Sequence, residues 1–93
     1  MAISKVAVSQ DAHRLMLAIG EAIRLHTSQS PMSGEQIVGV LGFCSGAAIV
    51  RAANTRNDRR QMREMAVANV DLGIQAMTSS MANTSLIIPD GVM

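Results

Sequence analysis

The sequence predicts an all-α fold: a small three- or four-helix bundle, dimeric, with an extended C-terminal arm. Three observations carry this. Apolar residues recur at spacings of three and four over three separate stretches, the signature of amphipathic helices. Residues that cap helix N-termini stand ahead of each stretch. The core material is also thin, with one Phe, no Trp or Tyr and eight Met among 93 residues. Met fills gaps but specifies shape poorly, so a monomer would bury too little and association would add the rest. At this size the chain is one domain, residues 1–93.

Residues 1–8 alternate weakly through Ile3, Val6 and Val8 and read as an arm or a short strand. Ser9 or Asp11 then caps a helix over about 10–28, with Ala12, Leu15, Met16, Ile19, Ala22 and Ile23 on one side. Asp11 in its first turn and Arg24 and His26 in its last suit the helix dipole. Pro31 biases Ser30 away from helical geometry and closes the element. Ser33 and Gln36 have capping-box spacing and open the second helix, about 34–54, with Met32 placed to staple against Ile37.

Where the second helix runs is the main alternative in the chain. Read as continuous, Ile37, Leu41, Cys44, Ala48 and Ala52 form a stripe, and Gly39, Gly42 and Gly46 give a small-residue surface. Read as broken at 42–44, Gly42 ends a short helix and Ser45 caps a new one. In that second form E-Q-I-V-G-V-L-G-F-C-S-G-A-A-I-V-R-A resembles the helix-turn-helix segment of AraC-type transcription regulators. Leu41, Gly42, Phe43 and Ser45 match the turn of that pattern, and Ile49 and Arg51 fall near its apolar and basic positions. The resemblance implies a small DNA-binding regulator using residues 36–54. Gly46-Ala47-Ala48 departs from it, standing where such recognition helices offer polar side chains to DNA.

Thr55 with Asp58 repeats the cap spacing and starts a long helix, about 56–82, with Asn57 as an alternative cap. Met62, Ala66, Val70, Ile74, Met77 and Met81 line one side of it and are the expected self-association face. The remaining segment, 83–93, leaves the helical period; Leu86-Ile87-Ile88 before Pro89-Asp90-Gly91 reads as an arm that packs on the helices or on a partner subunit.

Charge and composition exclude more than they assign. A formal net charge of +1 gives no general pull toward nucleic acid or anionic membrane. A lone cysteine forms no intrachain disulfide and suits a reducing, cytoplasmic setting. The uncharged run Gln36–Val50 is 15 residues, short of a bilayer span, so no membrane association is expected. Cys44 reads as a core thiol, and His13 and His26 as helix residues on opposed faces; no metal site and no cofactor are expected. The acidic residues are scattered without a close pair, so the chain is read as non-enzymatic, with catalysis the least supported reading. The one polar concentration is Arg51, Arg56, Arg59, Arg60 and Arg63, expected to meet solvent or a protein partner, with nucleic-acid phosphate as the alternative. Arg60 and Glu64 have the i,i+4 spacing of an ion pair. The functional expectation is a non-catalytic oligomeric helical protein that binds a macromolecular partner, as a small regulator, adaptor or assembly subunit.

Overall fold

A computed structural model describes residues 3–79 and 85–89. The chain is mostly helical: α1 spans Gln10–Gln29, α2 Gly34–Ala52 and α3 Arg56–Thr78. Two short strands, β1 (Ile3–Ala7) and β2 (Ser85–Pro89), pair antiparallel, with Ile3 opposite Pro89, Lys5 opposite Ile87 and Ala7 opposite Ser85. The all-α expectation is corrected by this two-stranded sheet, which joins the two ends of the chain. Pro89 sits at the end of its strand, where the missing N–H interrupts little of the ladder.

The helix starts follow from local chemistry. The Ser9 hydroxyl accepts from the Ala12 amide at 3.2 Å. At α2 the capping box is complete: Ser33 Oγ accepts from Gln36 N at 3.2 Å, and Gln36 Oε1 accepts from Ser33 N at 3.0 Å. Thr55 Oγ1 accepts from the Asp58 amide at 3.0 Å and opens α3. Ser33→Ala removes one of two reciprocal bonds and is expected to cost about 1 kcal/mol in urea unfolding, with helix content otherwise kept. At the other ends, Ser30, Ala53 and Ser79 are all extended, and each still donates its amide to the carbonyl four residues back.

α2 is unbroken. It runs through Gly42, Phe43 and Cys44 without interruption. Ser45 does not cap a new helix; its hydroxyl donates to the Leu41 carbonyl at 2.8 Å, the bond a serine makes inside a continuous helix. The turn on which the helix-turn-helix resemblance depends is therefore missing, and that reading loses its scaffold. The 19 residues of α2, about 28 Å at 1.5 Å each, make it long and apolar enough to cross a membrane by length and composition. α3 ends at Thr78, short of the expected 82, and Met81 lies outside the described residues, as do 83, 84 and 90–93 of the expected arm.

Close packing is confined to β1 on β2, β2 on α3, and α2 on α3. α1 and α2 do not form a packed antiparallel pair; they face one another across an open apolar cleft of about 340 Å³ that includes Ile23, His26, Met32, Ile37 and Leu41. Among the described residues none is buried. Leu15, Ile19, Leu41, Val50, Val70 and Ile74 are all exposed, so the helices form with their apolar stripes largely uncovered. Cys44 is exposed too, against the expectation of a core thiol, because none of the described residues covers that side of α2.

Candidate functional site

The arginine cluster and the glycine surface, read separately from the sequence, come together between α2 and α3. Gly42, Ser45, Gly46 and Ile49 of α2 form one wall of an open groove of about 610 Å³. Ala66, Val67 and Val70 of α3 form the facing apolar wall, and Arg56, Arg59, Arg60 and Arg63 line its other end. Arg51 belongs to the last turn of α2 and does not line the groove. A methyl group added at Gly42 or Gly46 would meet nothing within 4 Å, so these glycines are open to an approaching backbone and are not packed against α3.

The groove follows from two local facts. α3 begins within four residues of the end of α2, so its charged first turns lie beside the C-terminal half of α2. The period of α3 then places Arg56, Arg60, Arg63, Val67, Val70, Ile74 and Met77 at alternating spacings of four and three, one continuous stripe that changes from guanidinium to apolar at Val67. The expected self-association face is thereby divided. Met62 and Ala66 are half-buried, whereas Val70, Ile74 and Met77 are exposed, Met77 at 87%.

All five arginines are exposed. Arg60 donates to Asn57 Oδ1 at 2.7 Å, and the expected pairing with Glu64 does not form. The ion pairs among the described residues are Arg14–Asp11 and Arg24–Glu21, both on α1. The guanidiniums of the α2–α3 groove thus have no carboxylate partner among the described residues. On α1, the Arg24 guanidinium holds the Glu21 carboxyl below its ordinary range, and Glu21 in turn raises Arg24. That exposed pair supports the helix above the ordinary carboxylate pKa and fades as pH falls through the lowered one.

No group of three or more His, Cys, Asp or Glu side chains gathers to hold a metal among the described residues. His26 lines the α1–α2 cleft, and His13 lines a shallow depression beside Ala7 and Gln10. Comparison with protein-family models, curated proteins and solved structures finds no match for this chain.

Sequence reading passed over Asn69. Its side chain donates through Nδ2 to the Ile87 carbonyl at 2.8 Å and accepts through Oδ1 from the Ile87 amide at 2.7 Å. Both backbone groups of Ile87 are turned toward α3, so the Asn69 amide extends the β1–β2 ladder as a short third edge. The signal was present: an Asn among Ala68 and Val70, well inside a helix, is a poor helix former with nothing local to bond.

Proposed function

We propose that this chain is a non-catalytic subunit of a homo-oligomer that binds an acidic macromolecular partner, serving as a small regulator, adaptor or assembly subunit. The observation that carries the reading is the absence of any buried residue among those described, on a chain that is 48% hydrophobic. Helices with uncovered apolar stripes gain most of their stability only when something covers them. Self-association that covers the exposed apolar residues of α2 and α3, Val70, Ile74 and Met77 among them, answers that need. The four groove arginines, without carboxylate partners among the described residues, supply charge for an acidic surface. An exposed free thiol at Cys44 suits a reducing compartment, so the proposal places the protein in the cytoplasm.

Light scattering behind a sizing column tests the assembly half of the reading, with the expected mass at least twice that of one chain. A monomer at all concentrations overturns it. For the binding half, a polyglutamate peptide is titrated against the wild type and Arg59→Ala/Arg63→Ala. Affinity is expected to fall roughly tenfold in the variant, two exposed charge contacts at somewhat under 1 kcal/mol each. Equal affinity in the two proteins removes the arginines from the site. Duplex DNA run alongside is expected to leave the mass unchanged; a complex that weakens steeply with salt would reassign the cluster to phosphate.

A further inference from the structure

One stripe of α2 carries Gly39, Phe43, Gly46 and Val50, spaced four, three and four apart, with Gly46 at its border with the α2–α3 groove. That spacing keeps all four on a single stripe of the helix. Phe43, the only aromatic residue of the chain, is 82% exposed there, and Val50 is 63% exposed. A Cβ built on Gly39 or Gly46 meets nothing within 4 Å. Large and small residues therefore alternate along an uncovered stripe.

We infer that this stripe is the seam between two copies of the chain, paired as antiparallel α2 helices about a twofold axis between Cys44 and Ser45. The inference rests on the self-association reading above and specifies its geometry. An axis at that point sets each residue opposite the one whose number completes a constant sum. Phe43 then faces Gly46 of the second copy, and Val50 faces Gly39. Every large side chain meets a glycine, in both directions, as an isologous interface requires. A parallel pairing would instead stack Phe43 on Phe43 and leave Gly39 and Gly46 facing glycine across a gap. The antiparallel arrangement also opposes the two helix dipoles.

The surface area identifies a second copy as a sufficient occupant. The chain exposes 7168 Å². A compact monomer of 9.8 kDa exposes about 5,200 Å² by the usual scaling with mass. The excess, about 2,000 Å², lies within the roughly 1,000–2,500 Å² that each partner contributes to an obligate dimer. Lipid is the competing cover for a helix of this hydropathy. Glu35 in its first turn and Arg51 in its last are compatible with either cover, and the vesicle arm of the test below separates the two.

Disulfide trapping tests the seam. In a Cys44→Ser background, Gly39→Cys/Val50→Cys is expected to oxidise to a covalent dimer, because residue 39 of one copy lies opposite residue 50 of the other. Gly39→Cys alone and Val50→Cys alone are expected to stay uncrosslinked, since like positions are 11 residues out of register, about 16 Å apart. Crosslinking of both single variants signals a parallel pair and overturns the proposal. A dimer by light scattering in which the double variant fails to crosslink overturns this seam while leaving self-association standing. A monomer by light scattering removes both. Recovery of the protein only with phosphatidylcholine vesicles assigns the face to lipid and also overturns it. As a second variant, Gly46→Leu places a side chain where Phe43 of the other copy sits, and is expected to weaken dimerisation at least about 100-fold. Leucine is a better helix former than glycine, so loss of the dimer would not come from loss of α2. Gly20→Leu on α1 serves as the control and is expected to leave the dimer intact; equal dimerisation of the Gly46→Leu variant and wild type overturns the seam.

Discussion

Replacing Asn69 with alanine is expected to release β2 from α3 and to destabilise the fold by about 2–3 kcal/mol. Two half-buried hydrogen bonds are lost at once, and both partners are backbone groups of Ile87. Neither Ile87 group has a replacement partner on that side, so each is left to compete for water at a half-buried edge. Urea unfolding measures the loss, and hydrogen exchange at the Ile87 amide reports its location. Asn69→Asp separates geometry from chemistry. The carboxylate still accepts from the Ile87 amide but has no donor for the Ile87 carbonyl, so it is expected to be no better than alanine. A wild-type urea midpoint in the alanine variant would show that β2 is held by its apolar residues alone.

Dilution is expected to unfold the protein. If the uncovered stripes are closed by a second copy, folding and association are one equilibrium, and stability depends on protein concentration. Each tenfold dilution of a dimer lowers the apparent stability by about 1.4 kcal/mol, so the urea midpoint should fall steadily across a dilution series. Circular dichroism at several concentrations measures this directly. A midpoint indifferent to concentration would mean that the isolated chain is stable with no buried residue among those described. That outcome contradicts the role assigned to the exposed stripes of α2 and α3.

Distance along the chain separates the contacts that are written locally from those that are not. Ser9, Ser33 and Thr55 cap residues only three positions away, so hydroxyl chemistry and spacing placed the α2 start at Ser33 and narrowed the other two to Ser9 or Asp11 and Thr55 or Asn57. The basic cluster was visible for the same reason, since its arginines are neighbours in sequence. The end of α3 was less visible, because methionines and alanines continue the helical period past Thr78 without a strong stop.

Composition and spacing alone specify a mostly helical chain and the neighbourhoods in which its helices begin. Tertiary structure decided the rest. Pairing of β1 with β2 joins opposite ends of the chain, and no periodicity within either five-residue strand encodes its partner. The Asn69 clamp acts across 18 residues, which spacing on one helix cannot reveal. Gly42 was compatible with a helix end or a helix interior, and the Ser45 bond to Leu41 within an unbroken α2 decided between them. The arginines gained a setting only when the end of α2 and the start of α3 enclosed a groove. Local hydrogen bonds are written in neighbouring residues; a groove and a clamp depend on segments that only folding brings together.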